Sequence, residues 1–216
     1  KGSAQIVSLR SCSQAKCHFA LGILLSRSGD FVGARTAFQI SLLRNPYLFE
    51  AWMRCGEMSS RLGVHAQAFK YYEIAKTLRP ADADAHIQAG NALRRQNLYD
   101  EAIKIYRNVQ RLPGAKSTDL AEALYQTASV KEKQGSPISA KKAYRQSLKH
   151  DPHHARSLNN LASLLIATDG LSHEATSLYR RAVKADPGMF EAYNNLGGNL
   201  LLEGHADEAT KFLEFG

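Results

Sequence analysis

The chain has 216 residues, 44% of them hydrophobic and 22% charged, which is the composition of an ordinary globular protein. No run approaches the roughly 20 apolar residues that cross a bilayer, so no transmembrane segment is expected within it. Lys and Arg total 28 against 20 Asp and Glu, and the formal charge of +8 favours acidic partners without bearing on fold. The three cysteines, Cys12, Cys17 and Cys55, include no Cys-x-x-Cys pair, and their odd number argues against a full disulfide framework. With no Asn-x-Ser/Thr acceptor either, the cytoplasm or another reducing compartment is expected. The opening Lys1-Gly2-Ser3-Ala4-Gln5 builds no signal peptide. There is no initiating Met, and Phe215-Gly216 falls inside an expected helix, so the chain is taken as a piece of a longer protein.

In chain order, the predicted elements are helices in a repeat. Residues 1–14 read as the end of a preceding repeat or an N-terminal extension. Then come units at 15–48, 49–82, 83–120, 121–154 and 155–189, with an incomplete one at 190–216. Gly22, Gly56 and Gly90 lie 34 residues apart, as do Pro46 and Pro80, and as do Ala34, Ala68 and Ala102. After small insertions the alanines continue at Ala140, Ala175 and Ala209, and such a period signals a helical array. In the second unit Phe49–Leu62 carries small or apolar residues at helical spacing, namely Trp52, Cys55, Gly56 and Ser59. Gly63 ends that helix, Ala66–Leu78 continues with Phe69, Tyr72 and Ala75, and Pro80 closes the unit. The third unit has Asn97 where the turn glycine is expected, and Asn is the next-best residue for a left-handed backbone. Residues 112–118 lengthen the next junction by four. The fourth unit turns at Gly135-Ser136-Pro137, a cap followed by Pro at the first helical position, and residues 168–172 add one residue to the fifth turn.

The packing logic is steric. Gly22, Gly56, Gly90, Ala128, Ala162 and Gly197 on the first helices are expected to face the alanine series on the second. Phe38, Tyr72, Tyr106, Tyr144 and Tyr179 would fill the space above and below. No hairpin can bury its own apolar face, so each needs a neighbour.

The spacing Trp52-x2-Cys55-Gly56, Ala68-x3-Tyr72, Pro80 resembles the tetratricopeptide repeat (TPR) signature, with Cys55 in place of its usual Leu. Leu21-Gly22, Ala34, Phe38 and Pro46 match too, as do Leu196-Gly197 and Ala209. The resemblance implies an all-α fold: a right-handed TPR superhelix, or α-solenoid, of antiparallel helix hairpins. Its inner groove, lined by the first helices, would bind peptides or proteins. In such hairpins the second positions would supply Lys16, Glu50, Asp84, Glu122, Arg156 and Glu191. The sixth would supply Ala20, Arg54, Gln88, Gln126, Asn160 and Asn195, the fifth Asn159 and Asn194, and the ninth Ile23, Glu57, Asn91, Ser129, Ser163 and Gly198. Glu50, Asp84 and Glu122 form an acidic ladder suited to a basic ligand segment, and the amides can pair with a peptide backbone whatever its side chains. The Asn159-Asn160-Leu161-Ala162 and Asn194-Asn195-Leu196-Gly197 runs are similar to TPR arms of O-GlcNAc transferases and of membrane-anchored TPR proteins. That likeness implies, as an alternative, the substrate-recognition arm of a glycosyltransferase. Capture of chaperone tails is disfavoured, since of the residues that motif needs only Asn91 matches fully.

The second helices carry Lys104, Arg107 and Arg111, then Lys141, Lys142, Arg145 and Lys149, then Arg180, Arg181 and Lys184. These would make a convex basic face able to dock acidic protein, RNA or anionic lipid; with no interleaved aromatic residues, nucleic acid is disfavoured. No phosphate loop, His-Glu-x-x-His or nucleophile elbow is present. His150, His153 and His154 fit no zinc spacing, and Cys55 and Trp52 read as packing residues. The expectation is a non-catalytic scaffold without metal or cofactor.

Overall fold

The structure, a computed structural model, describes residues 14–214, so the expected N-terminal extension lies outside it apart from Gln14. The chain divides into two compact units, Lys1–Ala115 and Lys116–Gly216. The first unit holds α1 (Ala15–Arg27), α2 (Phe31–Arg44), α3 (Phe49–Arg61), α4 (His65–Leu78), α5 (Ala83–Arg95) and α6 (Tyr99–Val109). The second holds α7 (Ser117–Lys133), α8 (Pro137–His150), α9 (Ala155–Asp169), α10 (His173–Ala185), α11 (Phe190–Leu202) and α12 (Ala206–Leu213). Among the described residues there are no strands. Within each unit every helix packs on its sequence neighbours, as expected of a solenoid of hairpins.

The turns follow the local chemistry. Gly63 adopts φ +75°, and Asn97, at φ 60°, is the one non-glycine with positive φ among the described residues. Asp30 caps α2 by accepting from the Gly33 N–H at 2.8 Å, and Asp82 caps α5 by accepting from the Ala85 N–H at 2.9 Å. Pro137 opens α8, but the preceding Ser136 makes no side-chain cap bond. The lengthened junction resolves in an unexpected way. α6 stops after 11 residues, whereas α7 starts at Ser117, four residues before Ala121, and runs for 17. The Asp119 carboxylate accepts from the Lys116 N–H at 3.0 Å and holds that added first turn.

The alanines at 34, 68, 102, 140, 175 and 209 are all fully buried. What sits closest over the glycines, however, is a bulkier side chain. A Cβ built on Gly22 or Gly56 would lie 2.5 Å from the ring of Phe38 or Tyr72, and one on Gly90 would meet Tyr106. At Gly197 the second-helix neighbour is Leu213, 2.5 Å from such a Cβ. Each glycine is therefore a seat for the bulky side chain one turn beyond the alanine, and at Gly197 the Ala209 carbonyl oxygen also lies 3.4 Å from such a Cβ. The tyrosine hydroxyls then reach back to the first helix or its end. Tyr106 donates to Asn91 Oδ1 at 2.8 Å, Tyr144 donates to Glu132 at 2.8 Å, and Tyr179 lies 2.9 Å from the Ser163 hydroxyl.

Two side chains tie a first helix to the junction before it. Trp52 Nε1 donates to the Pro46 carbonyl at 2.7 Å and its ring lies tilted against that of Tyr71, so it does more than pack. One repeat on, His86 Nε2 is 3.0 Å from the Pro80 carbonyl, and because a carbonyl only accepts, that nitrogen carries the proton. His86 Nδ1 is buried without a partner. Burial lowers the His86 pKa, and Lys76 adds to that, against the Pro80 carbonyl, Glu73 and Asp82, which raise it. His65 is lowered as well, by burial and by Arg95. The folded state thus resists protonating both rings, and stability present above about pH 6.5 should fall as the pH drops below it. Thermal midpoints measured from pH 7.5 to 5 should show this decline, and His86→Leu, which copies Leu124 and Leu158 at the same helix position, should flatten it. An unaltered profile in the variant would rule His86 out as the source.

Candidate protein-binding site

In the first unit, α1, α3 and α5 present a trough of about 630 Å³. Its lining brings together five of the expected residues, Glu50, Arg54, Glu57, Asp84 and Gln88, with Asp82 and Tyr72. It also includes Ile23, at the ninth helix position, and Phe19, Phe49 and Met53, apolar groups that the polar reading of the groove missed. Phe19 and Met53 occupy the fifth helix position, the same register as Asn159, so their place could have been read from the repeat. The trough therefore combines an apolar floor with four carboxylates and a single cation.

Those charges are held loosely. Arg79 pairs with Glu50 at 2.8 Å, both about half exposed, and its guanidinium lies 4.2 Å above the Phe49 ring. Glu57 accepts from Arg54 at 2.7 Å and from Arg61 at 3.0 Å. Exposed pairs of this kind contribute about 0–1 kcal/mol each, so a guest can exchange them at little cost. Gln88 donates to Asp84 at 3.0 Å, and Asn91 donates to Gln88 at 3.4 Å while its oxygen takes the Tyr106 hydroxyl.

The second unit treats the same register differently. Glu122 accepts from Arg156 at 2.5 Å, from Gln126 at 2.7 Å and from His154 at 3.1 Å, and its side chain is 20% exposed. Burial alone would raise its pKa, but the bonds from His154 and Gln126 and the Arg156 charge bring it below the usual value. Arg156 also lies over Tyr125 at 4.8 Å. Asn159 is fully buried: its amide nitrogen reaches Asn160 and Glu191 at 3.2 Å, and its oxygen takes Asn195 at 2.9 Å. Its expected place on an open groove is corrected, because every polar atom it carries is engaged within the fold. Gln126 is buried likewise, whereas Asn194 is exposed.

The basic second-helix residues are partly neutralised. Lys141 pairs with Asp169 at 2.9 Å, Arg145 with Glu174 at 2.9 Å, and Arg180 with Glu208. Lys142, Lys149 and Lys184 remain exposed. His154 is committed to Glu122 and to capping Ser157, and among the described residues no group of three His, Cys, Asp or Glu could hold a metal ion. Cys17 is disulfide-bonded. Cys55 is a free thiol, and burial pushes its pKa up to about 12, out of the nucleophilic range. No described helix is long and apolar enough to cross a membrane.

Stacked hairpins that leave a first-helix trough open define a class of protein-interaction scaffolds. A family model described as Tetratricopeptide repeat matches residues 19–83, 65–116 and 125–189, well over half of the chain. The chain belongs to that family, whose members bind peptides or proteins and are in general non-catalytic. Among curated proteins it is 28% identical over 156 residues to Protein O-mannosyl-transferase TMTC1 of Mus musculus. That match covers 70% of this chain and 16% of the relative's length. Among solved structures, yeast Tom70 has a TM-score of 0.76 at 20% identity, covering 93% of this chain and 42% of that one. PilW, described as a widely conserved type IV pilus biogenesis factor, has a TM-score of 0.72 at 18% identity, covering 92% and 90%. At these identities the structures share the fold.

Proposed function

We propose that the chain is a non-catalytic scaffold that holds a basic, partly apolar segment of a partner protein in the trough of its first unit. One observation carries this reading: Glu50, Glu57, Asp82 and Asp84 surround the apolar Phe19, Phe49 and Met53 in a single cavity. A Lys or Arg side chain of the guest would displace the exposed internal pairs, and an apolar side chain would settle among the rings. Gln88 and Asn91 would contact its backbone. In the second unit Asn160, Asn194 and Asn195 would offer a separate set of backbone contacts, with Asn159 holding Asn160 and Asn195. Fluorescence anisotropy with a labelled Lys/Leu peptide tests the idea. Glu50→Lys with Asp84→Lys should weaken binding by about tenfold or more, since attraction turns to repulsion at two points. Equal affinity in the variant would refute the proposal.

A second reading is favoured by the likeness to an O-mannosyl-transferase: the chain would be the substrate-recognition arm of a glycosyltransferase. Glycosyl transfer by the native protein isolated from its source, lost when the trough is reversed in charge, would support it. Absence of any transferase activity there would dismiss it.

A further inference from the structure

We propose that the outer flank of α8 is a docking strip for an acidic, partly apolar segment of a second partner protein. Ile138, Lys142, Arg145 and Lys149 follow one another at steps of four, three and four, so they share one face of the helix. That face extends about 16 Å at the α-helical rise. These four, with Lys141 and Gln146, line a concavity of about 520 Å³ that contains no carboxylate. Ile138 is 81% exposed at one end of it, an apolar contact that nothing in the fold covers.

The surroundings already show the chemistry the strip accepts. Lys141 binds both carboxylate oxygens of Asp169, and Arg145 binds Glu174, so two of its cations are filled from within the fold. Lys142 and Lys149 are exposed, and no described carboxylate pairs with them. They are separated by two helical turns, about 10 Å, which two acidic residues three apart in an extended peptide can span. The partner is a protein rather than RNA because the lining has no ring on which a base could stack. It is not a membrane, because one isoleucine is far short of the apolar face that an interfacial helix needs. Asp169 and Glu174, on the same flank, would also repel a uniform array of phosphates. The proposal is independent of the trough: it lies in the other unit and takes the opposite charge.

The test uses the whole chain and a labelled short Glu/Leu peptide in anisotropy titrations. Binding should weaken steeply with salt, and Lys142→Glu with Lys149→Glu should reduce affinity about tenfold or more. Arg27→Glu with Arg95→Glu makes the same change in net charge elsewhere and should alter affinity by less than about threefold, because exposed charges at a distance are screened. Circular dichroism should show both variants folded, since all four residues are exposed. An equal loss in the control variant would mean that net charge alone attracts the peptide, and the proposal would fall. It would fall as well if the peptide did not bind, or if single-stranded RNA or phosphatidylserine vesicles bound more tightly and lost that binding in the double variant.

Discussion

Replacing Gly56 by leucine should destabilise the first unit by about 3 kcal/mol or more, because overpacking beside a fixed ring forces backbone movement. A Cβ there would already lie 2.5 Å from the Tyr72 ring, and leucine adds three further carbons against it. The thermal midpoint should drop by on the order of 10 °C. Gly56→Ala should behave differently. Alanine occupies the matching position at Ala128 and Ala162, where tyrosines still pack, and it gains about 1 kcal/mol of helix propensity over glycine. The small ring shift and the propensity gain nearly cancel, so stability should change by less than about 1 kcal/mol. Combining Gly56→Leu with Tyr72→Ala removes the obstructing ring, and the double variant should lose less than the two single losses added together. Strict additivity in urea unfolding would mean that the ring is not the obstacle.

Loss of charge at Glu122 should also be costly, in contrast to its counterpart Glu50. Glu122→Gln leaves Arg156 and His154 without their shared carboxylate, and the expected loss is about 2 kcal/mol, below the 3–5 of a fully buried pair because the site is partly wet. The same change at Glu50, exposed and paired only with Arg79, should cost at most about 1 kcal/mol. The acid profile gives a second reading. The folded Glu122 carboxyl has a lowered pKa, so its contribution is complete above the unfolded value of about 4.5 and is lost as pH falls through the folded one. Glu122→Gln should lack that portion of the acid transition. Urea titrations at pH 7 and pH 3.5 measure both effects; if Glu122 proved as tolerant as Glu50, its bonds to His154 and Arg156 would not be what holds it.

Much of the architecture was legible in the residues. Gly63, Asn97 and Gly170 mark turns because a positive φ is a local demand that few side chains meet, and the alanine series marks contacts too close for anything larger. The start of α7 was not legible. Residues 117–120 can form a loop or a first helical turn, and the Asp119 carboxylate on the Lys116 N–H decides for the turn. That the bulky side chains sit directly over the glycines was not legible for a related reason: a repeat shows which positions are small without showing which neighbour needs the space.

The all-α hairpin fold and the family could both be read from the residues alone, because each rests on periodicity and on backbone preferences that act within a few residues. Which polar side chains stay available to a partner emerged only once the chain was folded. Asn159 and Asn160 are adjacent and chemically identical, yet Asn159 is consumed by Glu191 and Asn195, 32 and 36 residues away, and Glu122 by His154 and Arg156 at similar separations. Such bonds exist only when one hairpin is stacked on the next, so the availability of a side chain in the groove is a property of the stack and not of any single repeat.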